Sequence, residues 1–405
     1  MMEEQLLLNN FREFYQKQEV MVPEVSQREF GVGGFGKKIA KRHISFSSQQ
    51  QLNSFLKEKV PLFISYSIAY YEKPASTPMN KKGFLGADIV YEFDADDLKT
   101  ACKQKHDSWS CPKCSASGKG AVDNCPKCGS AVQKDEWFCP ECLGETKKQV
   151  FRLLDFLQND FGFTQGISVN FSGNAGFHIH IRSNELKHLG NEARIELLDY
   201  LTAKDFDFAK HGFGESGKMF LCPLPQESKG WGKRLLQGII NLFEEADAEK
   251  IAAFGGISYA KAKKLIENKE LVLKSIKEKG ILFSIPGRKN KQFWLSLLQH
   301  LLEQNSLDID RQTSVDIRKI IRVPETLHGG TGLLAKKVEI QDLCKFRPLD
   351  DAVVFSDKSV KIFINSAPKF YLRKEWFGPF EKQEAELPLY AAIYLVGRKA
   401  AKLVG

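Results

Sequence analysis

A cluster of metal-ligand residues constrains the fold of this 405-residue chain more than any other feature of its sequence. Seven of the nine cysteines fall between residues 102 and 142, together with one histidine. Three C-P-x-C sequences each place two thiols on a tight turn, where both can reach one ion. Eight ligands are enough for two tetrahedral zinc sites, and both would be structural because protein fills all four positions of each. The ligands are Cys102, His106, Cys111, Cys114, Cys125, Cys128, Cys139 and Cys142.

A second constraint is the acidic stretch GADIVYEFDADDL at residues 86–98. Its alternating apolar residues predict a strand, so that Glu92 and Asp94 project from the same side. Adjacent carboxylates repel each other unless a cation lies between them, and such pairs hold two Mg²⁺ or Mn²⁺ ions about 3.5–4 Å apart in enzymes. The stretch therefore indicates a catalytic metal clamp, with an acidic strand end that is merely solvated as the alternative.

The overall composition is that of a globular protein with two or three domains. Apolar residues make up 42% of the chain, and 59 basic against 50 acidic residues give a formal charge of +9, which suits a polyanionic partner without requiring one. The N-terminus lacks the cationic and apolar pattern of a secretion signal. The longest apolar run, near residues 387–396, is far shorter than the roughly 20 residues that span a bilayer. We expect a cytoplasmic protein without a membrane partner.

Several motifs in the rest of the chain resemble the small catalytic subunit of archaeal and eukaryotic replicative DNA primase, most closely the archaeal form. The resemblance covers most of the chain, and its motifs occur in the order that the family shows. They are REFG at 28–31, DFGF at 160–163, SVNFSGNAGFHIHI at 168–181, SVDIRKIIRVPETLHGGTGL at 314–333 and FGPFEKQEAELPLYAAIYL at 377–395.

The resemblance implies an α/β (α+β) fold, the archaeo-eukaryotic primase catalytic core with a zinc-binding insertion. The core would consist of residues 1–101, 143–234 and 311–405, and residues 102–142 would form the zinc-binding region. Apolar residues repeating at three and four predict a helical insert at 235–310.

The resemblance also assigns catalytic roles to individual residues. Glu92, Asp94 and Asp316 would bind two catalytic Mg²⁺ or Mn²⁺ ions, although the family usually has Asp-x-Asp where this chain has Glu92 and Asp94. The register could instead slip so that Asp96 completes the clamp. The nucleotide's triphosphate would be bound by Ser172, His178, Arg322, His328, Lys82 and Arg42.

Two departures from the family pattern concern nucleotide binding. Ala175 stands where the family has an arginine, so one bidentate phosphate contact is missing. Gly330 stands where many relatives have a lysine after the histidine. Both departures predict weaker nucleotide binding than in the family's typical members.

The family's usual zinc site implies a pairing of the eight ligands. It combines a cysteine and histidine after the acidic strand with a C-x-x-C before a long helix, which here are Cys102, His106, Cys139 and Cys142. The other four cysteines, from 111 to 128, would then form an inserted zinc ribbon. A swapped pairing, in which Cys111 and Cys114 join Cys102 and His106, stays open because W-x-C-P-x-C occurs twice.

The function implied is de novo synthesis of short primers on single-stranded DNA during replication. The substrates would be NTPs, and dNTPs are an open alternative; the partner would be a large primase subunit in a heterodimer. Two other functions fit the sequence. One is a stand-alone primase-polymerase of repair or of a mobile element, and the other is a zinc-bearing nucleic-acid-binding subunit that has lost catalysis.

Overall fold

The computed structural model describes residues 2–217, 219–282, 290–309 and 314–404 of the chain. They confirm the predicted α/β class, with mixed helices and mostly small antiparallel sheets. The chain divides into two compact units: the first is Met1–Phe151, Gln165–Ile195 and Asp308–Gly405, and the second is Arg152–Thr164 and Glu196–Leu307. The five-segment organisation expected from the sequence stays a prediction, and its boundary at 310 and 311 lies outside the described residues.

The first unit contains a four-stranded antiparallel sheet near the N-terminus. Its central strand Phe63–Ser67 is buried along its whole length, as expected of a strand that is covered on both faces. It pairs with Phe30–Gly34 on one side and with Ile320–Arg322 on the other. The sheet order is Ile320–Arg322, Phe63–Ser67, Phe30–Gly34 and Lys37–Ile44.

A second four-stranded antiparallel sheet of this unit carries the acidic stretch at its edge. Side chains alternate along its strands, so that Tyr91 and Phe93 are buried on one face while Glu92 and Asp94 lie on the other. In the neighbouring strand, the apolar residues Phe177, Ile179 and Ile181 alternate with His178 and His180. The order is Lys337–Val338, Ile167–Phe171, Gly176–Ile181 and Ile89–Asp94.

Smaller sheets and helices complete the first unit. The further strands pair as Ala69–Tyr71 with Phe84–Ala87, Ser359–Ala367 with Phe380–Pro388 and Ala401–Leu403, and Phe370–Leu372 with Glu375–Phe377. The cysteine-rich region adds Ser108–Ser110, Ser117–Lys119 and Gln133–Asp135. The helices are Met2–Lys17, Gln49–Lys59, Lys103–His106, Pro348–Asp351 and Leu389–Gly397. Two more helices, Pro140–Asn159 and Asn191–Leu201, run from one unit into the other.

The second unit is mainly helical over the region where helical periodicity was expected. Its aromatic core includes Trp231, Phe243 and Trp294, all almost fully buried. Capping fixes one helix end: Asp247 accepts hydrogen bonds from the backbone N–H of Glu249 and Lys250. The helices are Gly230–Glu245, Ala248–Gly255, Tyr259–Glu267, Lys269–Lys279 and Asn290–Asn305, beside a small sheet of Gly214–Ser216, Met219–Leu221 and Ile281–Leu282.

No helix within the described ranges combines the length and apolarity needed to cross a membrane.

Candidate active site and metal centres

The polar face of the second sheet brings Glu92 and His178 together. The two residues lie directly opposite each other on adjacent strands, and His178 Nε2 is 3.6 Å from Glu92 Oε1. On the other side of His178 lies Asn170, whose buried Nδ2 has no hydrogen-bond partner among the described residues. Burial lowers the pKa of His178 to about 4, so its imidazole is neutral at physiological pH. A neutral imidazole can donate one hydrogen bond to a ligand on this face.

Asp94 lies two residues beyond Glu92 on the same face, opposite Gly176. A Cβ at Gly176 would lie 1.8 Å from the carbonyl oxygen of Phe93, so only glycine lets the strands approach here. Burial raises the pKa of Asp94 to about 8, and the negative charges of Asp96 and Glu92 add to the effect. The positive charge of Lys38 offsets these effects only in part, so the ionised form of Asp94 is disfavoured in this structure.

Glu92 has a cationic partner. Lys319 Nζ lies 3.1 Å from Glu92 Oε2 and donates a hydrogen bond to it. Burial alone would raise the pKa of Glu92, but His178 and Lys319 together hold it below its usual value. Glu92 is consequently ionised and paired in this structure.

The third predicted metal ligand, Asp316, lies in the turn that also carries Lys319. Asp316 is exposed, and its Oδ1 accepts a hydrogen bond from the backbone N–H of Arg318. Among the described residues, Glu92, Asp94 and Asp316 do not form a set whose ligand oxygens all lie within 4.8 Å of one another. The turn of Asp316 is thus connected to Glu92 through Lys319, whereas the three carboxylates are not gathered into one cluster.

Two loops with predicted triphosphate-binding residues pack against each other. The Ser172 hydroxyl accepts hydrogen bonds from the backbone N–H of Asn174 and Gly176, which closes the first loop. Thr331 donates a hydrogen bond to the carbonyl of Gly173 at 2.5 Å. A Cβ at Gly173 would lie 2.9 Å from Cβ of His328, so the absence of a side chain allows this approach. The structure therefore brings Ser172 and His328 into one neighbourhood.

His328 and Arg322 belong to the second of these loops and to the strand before it. The Nδ1 atom of His328 accepts a hydrogen bond from the backbone N–H of Gly330, and burial holds the pKa of His328 well below its usual value. The guanidinium of Arg322 lies 5.0 Å from the centre of the Phe63 ring and donates a hydrogen bond to the carbonyl of Ile64. Burial lowers the pKa of Arg322 to about 10, which still leaves it charged at physiological pH.

Arg42 and Lys82, the remaining predicted phosphate ligands, meet at a buried glutamate that the sequence analysis did not single out. Arg42 Nε donates to Glu29 Oε1 at 2.9 Å, and Lys82 Nζ lies 3.4 Å from Glu29 Oε2. Arg42 also donates to the carbonyl of Arg318, close to Asp316. Lys82 is fully buried, so in this structure its charge is compensated by Glu29 rather than exposed to a ligand.

The first Cys/His group is Cys102, His106, Cys139 and Cys142, and its ligand atoms all lie within 4.8 Å of one another. The Cys142 sulfur is 3.2 Å from both the Cys102 sulfur and His106 Nε2. The two cysteines at 139 and 142 lie at the N-terminus of helix Pro140–Asn159, whose dipole favours thiolates. Asp107 Oδ1 is 2.7 Å from His106 Nδ1, which orients the imidazole as carboxylates do beside zinc-bound histidines.

The second group, Cys111, Cys114, Cys125 and Cys128, is built from one turn used twice. The backbone N–H of Ser115 donates to the carbonyl of Cys111, and that of Gly129 donates in the same way to Cys125. Both turns need a left-handed residue, with φ of 58° at Ser115 and 72° at Gly129. The sulfurs of Cys111 and Cys128 are 3.5 Å apart, and those of Cys114 and Cys125 are 3.6 Å apart.

Both groups fit zinc by their chemistry and their spacing. Tetrahedral zinc with Zn–S distances of about 2.3 Å places its sulfur ligands roughly 3.7 Å apart. The grouping is the one that the family resemblance implies, and the swapped pairing is not seen among the described residues. Each group offers four soft ligands and can hold one zinc ion.

Three residues of these sites were not identified from the sequence, although local sequence features point to two of them. Asp107 directly follows a predicted zinc-binding histidine, where a supporting carboxylate is common. Lys319 follows the predicted ligand Asp316 by three residues. Glu29 lies in the quoted REFG motif, but nothing in the sequence indicates that it is buried against Arg42 and Lys82.

Comparison with known proteins shows the family to which this chain belongs. A family model described as "DNA primase small subunit" matches residues 133–340, which is just over half of the chain. The DNA primase small subunit PriS of Methanosarcina barkeri is 31% identical to this chain, and the alignment covers 98% of the chain and 95% of that protein. Those of Picrophilus torridus and Nitrosopumilus maritimus are each 28% identical over 98% and 97% of this chain, with 97% and 96% of their own lengths covered. The chain therefore belongs to the DNA primase small subunit family.

Proposed function

We propose that this chain is a catalytic primase subunit, which synthesises short primers de novo on single-stranded DNA by nucleotidyl transfer. The substrates would be NTPs, and dNTPs are a possible second class. One observation carries the proposal: Glu92, Asp94 and the neutral His178 share one polar sheet face. On the neighbouring strand, that sheet leads directly into the loop of Ser172, which packs against His328.

Glu92, Asp94 and Asp316 would hold the divalent ions of the reaction. The donor set fits Mg²⁺ or Mn²⁺, since carboxylate oxygens are the ligands that these ions prefer. The raised pKa of Asp94 supports this assignment, because a cation bound on this face would offset the effects of burial and of the charges of Asp96 and Glu92. When bound, two such ions supply a lowered pKa for the primer 3′-hydroxyl and charge neutralisation at the triphosphate.

The triphosphate would be oriented by the residues around the two packed loops. Arg322 supplies a positive charge, and the neutral His178 and His328 can donate hydrogen bonds to phosphate oxygens. The backbone amides of the Ser172 loop are turned toward the serine hydroxyl, which holds the loop in a fixed shape. Arg42 would contribute from beside the Asp316 turn, and the phosphate contact of Lys82 stays a prediction because its ammonium lies against Glu29.

The macromolecular partners follow from charge and from family membership. The formal charge of +9 supports salt-sensitive binding of a single-stranded DNA template with little sequence preference. The relatives' name, small subunit, supports pairing with a large subunit. The two Cys/His groups would each hold a structural zinc ion, which fixes the cysteine-rich region beside the acidic strand.

The test is primer synthesis on single-stranded DNA with labelled nucleotides and Mg²⁺ or Mn²⁺, with and without a large subunit. Wild type would be compared with Glu92→Ala, Asp94→Ala, Asp96→Ala and Asp316→Ala. We expect product from wild type, little change for Asp96→Ala, and no product from the other three.

Other outcomes would correct the proposal in defined ways. A dead Asp96→Ala beside an active Glu92→Ala would place the clamp in the slipped register. Activity in Asp316→Ala would move the third ligand to another acidic residue of that segment, and Asp310, which lies outside the described residues, would be replaced next. No product from wild type with a large subunit present would overturn the catalytic proposal.

A further inference from the structure

The ion pair between Lys319 and Glu92 has no place in the proposed metal clamp. The side chains are 10% and 25% exposed, and the ammonium nitrogen lies 3.1 Å from a carboxylate oxygen. At this distance the ammonium lies against Glu92 Oε2, in space that a divalent ion would occupy if it bound the same oxygen. Two cations cannot share that oxygen without strong repulsion at low local dielectric.

The backbone that carries Lys319 is fixed, whereas the side chain is long. The carbonyl of Lys319 accepts a hydrogen bond from the N–H of Ile68, and its N–H donates to the carbonyl of Asp316. The next residue, Ile320, begins the strand that pairs with Phe63–Ser67. The ammonium therefore has a fixed base and a flexible four-carbon stem, so that it can change partner without movement of the loop.

The neighbours of Lys319 show which second partner it would take. Arg322, a proposed triphosphate ligand, lies in the strand that begins directly after Lys319, and the positive charges of both residues act on His178. His178 lies 3.6 Å from the other oxygen of Glu92. An ammonium that leaves Glu92 thus stays among groups that suit an anionic, oxygen-rich ligand. Lysine binds phosphate as a mobile point charge.

We propose that Lys319 is the resident counter-charge of Glu92, displaced by the divalent ion and transferred to the triphosphate of the incoming nucleotide. The inference rests on the proposed function, since it takes Glu92 as a metal ligand. It assigns Lys319 two roles: competitor of the metal before nucleotide binds, and phosphate ligand afterwards. No bond is made or broken in this exchange, and the charge of Glu92 is compensated throughout.

The first measurement is Mn²⁺ affinity without nucleotide, from the electron paramagnetic resonance signal of free Mn²⁺. Lys319→Met keeps most of the stem but removes the charge, and we expect it to bind Mn²⁺ roughly tenfold more tightly than wild type. Lys319→Arg keeps the charge and should bind Mn²⁺ as wild type does. Lys38→Met is the matched control, because it removes a charge near Asp94 without a contact to Glu92.

The second measurement is nucleotide binding in the presence of saturating Mn²⁺. We expect Lys319→Met to raise the KM for nucleotide roughly tenfold, with a smaller change in kcat. A merely structural role would instead lower the unfolding temperature without tightening Mn²⁺ binding.

The outcomes separate this inference from the proposed function. Mn²⁺ binding that is the same in Glu92→Gln and wild type would overturn this inference and remove Glu92 from the ligand set, whereas the proposed function would fall only if wild type made no product. Mn²⁺ binding that depends on Glu92, but is the same in Lys319→Met and wild type, would overturn the inference alone. Equal tightening in Lys319→Met and Lys38→Met would also overturn it, because the effect would then be one of net charge.

Discussion

The two Cys/His groups differ from the acidic face, which is the polar sheet face that carries Glu92 and Asp94, in how closely their ligand atoms are gathered. Both regions belong to the first unit. Each Cys/His group already has its four ligand atoms within 4.8 Å of one another. The carboxylates of the acidic face are not gathered in this way, and Glu92 is paired with Lys319 instead. Thiols and imidazole can be neutral and can therefore lie close together, whereas ionised carboxylates repel each other.

Under the proposed function, this difference corresponds to a structural use of metal in the Cys/His groups and a catalytic use on the acidic face. In the cysteine-rich region, backbone turns and a helix N-terminus determine the positions of the ligands, so a metal would find its geometry prepared. On the acidic face, burial and the charges of Asp96 and Glu92 disfavour the ionised form of Asp94, and a cation bound there would offset both effects. The acidic face therefore suits ions that exchange, and the Cys/His groups suit ions that stay bound.

The largest expected effect concerns Asp94. Asp94→Asn should lower primer synthesis about 10³-fold or more, since a charged group at the reacting centre is lost. The same change should raise the unfolding temperature at pH 9 without added Mg²⁺ or Mn²⁺. The pKa of Asp94 is raised to about 8, so the folded state holds a proton that the unfolded state has released, and its stability falls as pH rises from about 4 to about 8.

The control for this prediction is the unfolding temperature at about pH 4, where the Asp94 carboxyl is protonated in the folded state and only begins to ionise in the unfolded state, so that the variant should resemble wild type. An Asn variant that is less stable than wild type at pH 9 would show that the acidic face is not under electrostatic strain.

The next effect would distinguish the two Cys/His groups. Cys142→Ser should destabilise the helix Pro140–Asn159 by about 3 kcal/mol or more, because metal binding and folding are coupled there. Cys128→Ser, at the exposed cysteine of the ribbon, should change the same helix by less than about 1 kcal/mol. Hydrogen exchange of the helix amides measures both.

Zinc analysis supplies the control, since each variant should lose one of two zinc ions per chain. Equal destabilisation of the helix by both variants would show that the two groups form a single structural unit.

A smaller effect is the pH dependence of Mn²⁺ affinity. Protons compete with the ion for Asp94, so affinity should rise by about tenfold per pH unit below pH 8 and level off above it. Titration calorimetry between pH 6 and 9 measures this. Asp94→Asn should show a much flatter profile, and a wild-type profile that is equally flat would remove Asp94 from the ligand set.

The smallest effect concerns the repeated turn of the ribbon. Ser115→Gly should slow the release of zinc to a chelator, because glycine adopts the left-handed φ of 58° at about 0.5–1 kcal/mol less cost. Gly129→Ala, at the equivalent position of the second turn, should accelerate release. If both substitutions changed the rate of zinc release in the same direction, the two turns would not be equivalent.

Several features of the molecule followed directly from local sequence. The strand Ile89–Asp94 alternates as expected, and helices occupy most of the described part of residues 235–310, where apolar residues repeat at three and four. Alternation and helical spacing are local properties, so they can be recognised without knowledge of distant neighbours.

The partners of the charged residues could not be predicted in this way. The family resemblance assigned Lys82 and Arg42 to phosphate, yet both meet the buried carboxylate of Glu29, which is 53 and 13 residues away in the sequence. Lys319 meets Glu92 across 227 residues. Such pairs depend on which strands become neighbours, and no local pattern contains that information.

The sequence by itself determined the metal-ligand inventory, the strand that presents Glu92 and Asp94, and membership of the primase small subunit family. It could do so because ligand type, spacing and alternation are properties of short segments. Only the tertiary structure decided how the eight zinc ligands are grouped and which cation compensates each carboxylate. Those choices depend on burial and on distances across the fold, where a charge must find a partner wherever the backbone places one.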